Sequence, residues 1–286
     1  MAYKNWNWLH KEWPDFTYNK ETLEQLEMQF SKNSGLVLGA IKHIESVSKD
    51  DLLVEILSEE AIKTSEIEGE ILNRESVQSS IKKNLGFATD KRKIAPAELG
   101  ISEMMVDLYH NFNQPLSHNL LFNWHKMLTN GRRDLANIGS YRTHTDPMQV
   151  VSGRLDRPTV HFEAPPSDKV TIEMEQFILW FNQVHHPNNT SLLPLAKASI
   201  THLYFVCIHP FEDGNGRVGR ALAEKSLSQS LKQPSLISLS SVIEKKKSAY
   251  YEALEKANKG NEITNWLEYF LPTIIEAQQY SIQKID

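Results

Sequence analysis

Twelve consecutive residues hold most of the chemistry this chain offers: His209-Pro-Phe-Glu-Asp-Gly-Asn-Gly-Arg-Val-Gly-Arg220. An apolar stretch ending in Cys207-Ile208 leads into them, and the residues after Gly214 read as a helix. Gly214, Asn215 and Gly216 therefore open a helix N-terminus, whose free N–H groups form a nest for an anion. Arg217 and Arg220 lie one turn apart, roughly on one face, and can hold further phosphate charge. Asp213 sits where a carboxylate can hold Mg²⁺ between phosphates. His209, at the other rim, is the group there able to take a proton near neutral pH. Singly, each residue reads more simply as a cap or an ion-pair partner. Together, base, metal ligand and phosphate cradle point to phosphoryl or nucleotidyl transfer.

Such a loop needs elements to hold it, and the hydrophobic spacing predicts mostly helices. Apolar residues recur at steps of three and four over about 20–47, 51–63, 71–85, 97–111, 118–128, 170–185, 192–208, 214–231, 241–259 and 262–279. Two short strands, Met148–Ser152 and Thr159–Phe162, are expected to form a hairpin closed by Gly153–Arg157. A lone hairpin is marginal in water, so it must lie against helices. Trp6, Trp8 and Trp13 form a dense apolar load in the first segment and read as an arm packed on the helical body. The acids Glu66, Glu68 and Glu70, and the cations Lys91, Arg92 and Lys93, read by themselves as solvated faces.

The twelve residues match, at each defined position, the motif His-x-Phe-x-Asp/Glu-Gly-Asn-Gly-Arg-x-x-Arg of Fic-domain proteins, and the chain resembles that family. The resemblance implies an all-α fold, a Fic-type helical core with a small β-hairpin flap. It implies three parts: an N-terminal helical domain over 1–85, a catalytic core over 97–231 and a C-terminal helical extension over 232–286. It implies transfer of AMP from ATP to a Tyr, Thr or Ser hydroxyl of a target protein or of the chain itself. His209 would then be the general base, Phe211 a core anchor, and Asp213 the Mg²⁺ ligand. Asn215 with the Gly214 and Gly216 backbone would cradle the α- and β-phosphates, Arg217 the β- and Arg220 the γ-phosphate. Gly139-Ser-Tyr-Arg142, the hairpin and Glu163-Ala-Pro-Pro166 resemble the flap region, which holds a target segment by strand addition. Thr64-Ser-Glu-Ile-Glu68-Gly69 resembles the family's inhibitory motif, Ser/Thr-x-x-x-Glu-Gly/Asn. There the glutamate reaches Arg220 and competes with the γ-phosphate.

Other chemistry stays open. Kinase-like relatives carry lysine where this chain has Gly216, which favours AMP transfer here. UMP or phosphocholine transfer by the same site remains an alternative. So does removal of AMP by a water that Glu68 positions. A non-enzymatic binding module would make no use of His209.

The 286 residues are 40% apolar and 23% charged, with a net charge of -5, which excludes collagenous and largely disordered classes. That charge gives no general attraction to nucleic acid or anionic membranes. No apolar run approaches the roughly 20 residues of a membrane helix, and the N-terminus has no signal-peptide pattern. One cysteine, Cys207, permits no intrachain disulfide. A cytoplasmic protein is expected. The apolar load of the arm and first helix further predicts a homodimer.

Overall fold

A helix that is apolar on every side must be buried, and α7 (Pro194–Ile208) is that helix. All of its residues except Pro194 and Val206 are buried. In the computed structural model, which describes residues 5–21, 23–43, 46–88, 91–154, 157–185 and 192–284, it forms a spine between two apolar clusters. Tyr204, Phe205 and Ile208 face one cluster; Leu195, Ala198, Ile200, Leu203 and Cys207 face the other.

The first cluster is closed by α2 (Ser46–Ile67), α3 (Arg74–Asn84), α4 (Pro96–Asn111), α5 (His118–Leu128) and α6 (Ser167–Val184). The second is closed by α1 (Glu24–His43), α9 (Leu239–Lys245), α10 (Lys247–Ala257) and α11 (Thr264–Gln283). The helix α8 (Asn215–Leu231) lies along α7 and feeds both clusters. Local chemistry sets several starts. Asn73 Oδ1 accepts from Ser76 N at 2.9 Å to cap α3, and Pro opens α4 and α7.

The strands β1 (Gln149–Arg154) and β2 (Arg157–Glu163) pair antiparallel and form the only sheet among the described residues. Pairing continues to Arg154↔Arg157, so Gly153–Arg157 is not the free loop the sequence leads one to expect. Positions 155 and 156 lie outside the described residues. Val150 faces Phe162 and Val151 faces Val160, which leaves His161 as an extra, bulged residue. Apart from this hairpin and an isolated bridge between Thr17 and Glu262, the regular structure of the described residues is helical.

The stretch expected as one helix over 241–259 is two, broken at Lys246 (φ -122°, ψ 32°). No Pro or Gly marks the break. Packing sets it: α9 lies on α2 and α11, while α10 turns to line the cleft described below. The tryptophan arm packs on the body. Trp6 is 3% exposed and edge-on to Phe162, Trp8 Nε1 donates to Glu163 O at 2.7 Å, and Trp13 meets Tyr204 edge-on. The arm's tryptophans are therefore spent inside the chain and cannot be the sticky surface behind the dimer expectation.

Candidate active site

The turn from α7 to α8 is held by buried side chains. His209 ends α7 in the left-handed region (φ 52°, ψ 58°), a costly conformation for a residue with a Cβ. Arg142, 1% exposed, stabilises it. Its Nε donates to His209 O at 2.8 Å, its Nη2 to Pro165 O at 2.6 Å, and its Nη1 to Ser167 Oγ at 2.8 Å. Its backbone N–H also reaches Pro210 O at 3.0 Å. Phe211 is fully buried and stacks on His125 with centroids 4.2 Å apart. Asn215 Oδ1 accepts from Phe211 N at 2.9 Å, and its Nδ2 donates to Phe211 O at 2.8 Å. The Asn215 side chain thus shapes the loop from inside, which leaves backbone N–H groups to face a phosphate. Gly214 (φ 84°) then makes the left-handed step that starts α8.

Carboxylates from the turn after α2 cover this helix N-terminus. Arg220 is 1% exposed. Its Nε donates to Thr64 Oγ1 at 2.7 Å, and its Nη2 to Thr64 O at 2.8 Å and Glu68 Oε1 at 2.7 Å. Desolvation would lower the Arg220 pKa, but Glu68 and Tyr250 together outweigh it and the net shift is upward. A Cβ at Gly216 would collide with Glu68 Oε1, so a larger residue there would displace the carboxylate from this position. Arg217 Nη1 meets Glu70 Oε2 at 2.7 Å, and its Nη2 lies 3.5 Å from Asp213 Oδ2. Arg132 Nη1 hydrogen-bonds the same Asp213 oxygen while its other nitrogens hold Asp134. Desolvation pushes the Asp213 carboxyl up, but Arg217, Arg132 and the Gly214 N–H together hold it below its ordinary range.

The cradle still has donors to spare. Arg217 Nε and Arg220 Nη1 are buried and have no acceptor among the described residues. A polyanion would satisfy them. Asp213 is an ionised carboxylate beside that position. A Mg²⁺ ion held by one carboxylate plus substrate phosphates is ordinary coordination, so the residues fit one. Asp213 would be its ligand from this chain.

His209 has the right form for a base. Its Nδ1 lies 3.2 Å from Val206 O. A carbonyl can only accept, so in the neutral ring Nδ1 carries the proton and Nε2 keeps its lone pair. Desolvation, with a contribution from Arg142, pushes the ring's pKa down to about 4. His209, Gly216 and Glu68 open on one cleft of about 620 Å³, whose other walls include Val150 and Val151 of the hairpin and Tyr250 and Tyr251 of α10.

All the residues named from sequence thus lie around one helix N-terminus, including Glu68, 152 positions before Arg220. Three contributors were not assigned a role. Arg132 lies 81 residues from Asp213, and no local pattern marks it. Glu70 read as a solvated acid. Thr64 entered only as a motif position, yet its hydroxyl and carbonyl both hold Arg220.

Comparison with known proteins gives the following likenesses. Residues 115–227 match the Fic/DOC family, and residues 6–87 match a domain of unknown function, DUF4172. The "Protein adenylyltransferase Fic" of Drosophila virilis is 34% identical over 119 residues, covering 41% of this chain and 23% of that protein. The chain thus matches under a quarter of that relative's length. A Fic family protein from Desulfovibrio desulfuricans superposes with a TM-score of 0.64 at 24% identity, over 91% of this chain and 74% of that one. A Fic-domain-containing signalling protein from Bacteroides thetaiotaomicron gives 0.64 at 17% identity, over 92% and 96%. The shared architecture therefore extends well beyond the matched core. Among the described residues, no helix is long and apolar enough to cross a membrane.

Proposed function

We propose, from the premise that this chain is a Fic-domain protein, that it moves AMP from ATP to a Tyr, Thr or Ser hydroxyl of a protein and is restrained by Glu68. One observation carries this reading: the candidate base His209, Gly216 of the anion nest and the candidate brake Glu68 open on a single cleft of about 620 Å³. That volume suits a nucleotide.

The target hydroxyl is a poor nucleophile at neutral pH. Nε2 of His209 accepts its proton as the oxygen bonds to the α-phosphorus. The bond from that phosphorus to the bridging oxygen breaks, and pyrophosphate leaves. Arg217, Arg220 and the α8 N-terminal N–H groups stabilise the charge that gathers on it. Mg²⁺, when bound at Asp213, supplies further positive charge to the phosphates. Glu68 holds Arg220 where a γ-phosphate would bind, so the resting chain binds ATP poorly.

The partner is a protein with an accessible hydroxyl segment, and the chain can also label itself. We retain the cytoplasm as the expected location of the reaction. We retain a homodimer, with Met28 and Leu36 as exposed apolar side chains on α1. The division at 1–85, 97–231 and 232–286 remains our reading of the chain.

The test uses Glu68→Gly and Glu68→Gly/His209→Ala with base-labelled ATP and Mg²⁺, read by intact mass. The single variant should gain the mass of AMP above the parent. The double variant should lose about 10²–10⁴-fold in rate while still binding ATP. Equal labelling by the two would refute the base assignment. The same samples, sized by light scattering at several micromolar, decide the dimer.

A further inference from the structure

We infer that Glu70 is a second inhibitory carboxylate, holding Arg217 as Glu68 holds Arg220, so that two phosphates of an incoming nucleotide displace two different acids. The inference rests on the proposed function, which gives Arg217 to the β-phosphate and Arg220 to the γ-phosphate.

Three acids at alternate positions follow one another at the end of α2, and the structure sends each to a different cation. Glu66 pairs with Lys63 at 2.6 Å, Glu68 with Arg220 at 2.7 Å and Glu70 with Arg217 at 2.7 Å. The backbone makes the third contact. The helix stops at Ile67, Gly69 takes φ 84°, and Glu70 N returns to Ser65 O at 3.0 Å. That reversal lays Glu70 over the start of α8.

The pair is asymmetric in the way an exchangeable contact must be. The Arg217 side chain is 6% exposed, whereas that of Glu70 is 38% exposed. A displaced Glu70 carboxylate swings into water and is hydrated there. Arg217 stays buried and needs an anion, and its Nε already lacks an acceptor among the described residues. A phosphate offers more charge and more acceptor oxygens than one carboxylate, so it replaces Glu70 and also reaches that nitrogen. The Asp213 oxygen 3.5 Å from Arg217 is a weaker partner and is itself held by Arg132.

The two acids should therefore separate by the length of the phosphate chain. Calorimetric titrations of AMP, ADP and ATP with Mg²⁺ into the parent, Glu70→Gln, Glu68→Gly and Glu66→Gln make the test. Glu70→Gln should tighten ADP and ATP roughly two- to fivefold and leave AMP unchanged, the size expected for releasing a half-exposed ion pair. Glu68→Gly should tighten ATP but not ADP. Unchanged ADP affinity in Glu70→Gln overturns the inference. So does equal tightening of AMP, or the same gain in Glu66→Gln, since either means a general loss of negative charge. The readout is binding, so it stands apart from catalysis. Absence of AMP transfer by Glu68→Gly would sink the transferase reading, while the ADP result would still decide the role of Glu70.

Discussion

Arg142 and Arg220 are equally buried, at 1% exposure each, and their surroundings are opposite. Arg142 donates to the carbonyls of His209, Pro165 and Ile208 and to the Ser167 hydroxyl, with no carboxylate among these partners. Desolvation pushes its pKa down to about 10. Arg220 adds a carboxylate to its neutral partners, and its net shift is upward. The carbonyls around Arg142 belong to the frame and cannot leave. The Glu68 side chain is 29% exposed and can leave. One buried cation therefore fixes geometry, and the other keeps a position that an anion can exchange.

The contrast can be broken most severely at Arg142. Arg142→Ala should cost roughly 3–5 kcal/mol in urea unfolding, because several buried carbonyls lose their donor. Arg142→Lys should recover only part of this, since an ammonium cannot span Pro165 and Ser167 on one side and the His209 turn on the other. An unchanged unfolding midpoint would remove Arg142 from the frame.

A smaller effect concerns His209, on which the charge of Arg142 acts. A folded-state pKa of about 4 means the ring is neutral, and able to accept a proton, at every pH above that value. Transfer by Glu68→Gly should therefore hold from pH 8 to pH 5 and fall only as pH approaches 4. An acid limb centred near 6.5 would mean the ring is not desolvated. The smallest effect is expected at Thr64. Thr64→Val removes one acceptor of Arg220 but leaves Glu68 in place. It should cost about 1 kcal/mol in thermal melting. A gain in labelling as large as that of Glu68→Gly would show that the hydroxyl, rather than the carboxylate, is the restraint.

The turn between α7 and α8 was legible because its chemistry is local. Asn215 bonds the backbone of Phe211 and Gly214 makes the turn itself, so their order in the chain carries their geometry. The hairpin and most helices were legible from periodicity for the same reason. Arg132 was not, because its partner is remote and the residues around it carry no pattern. Glu70 looked like a solvated acid because only the left-handed turn at Gly69 brings it back over α8. The break at Lys246 was hidden among three consecutive lysines, with no glycine or proline to announce it. The dimer expectation counted the tryptophans correctly, but sequence does not show which surface of the same chain will cover them.

The helix α2 has more than one hold on the molecule. Near its middle, Glu55 meets Arg74 and Lys284, Glu59 meets Arg74, Lys284 and Ser241, and Glu60 accepts from Ser240 N at 2.8 Å. These contacts tie it to α3, α9 and the end of α11, and Leu57, Ala61 and Ile67 are buried beneath them. Sliding α2 out would break all of them at once, whereas turning Glu68 about its own side-chain bonds breaks one. If Glu68 yields to phosphate, it does so at the speed of a rotamer change, in nanoseconds rather than the microseconds to milliseconds of a helix displacement. Resting and active forms would then share one backbone, and amide exchange along α2 would not tell them apart.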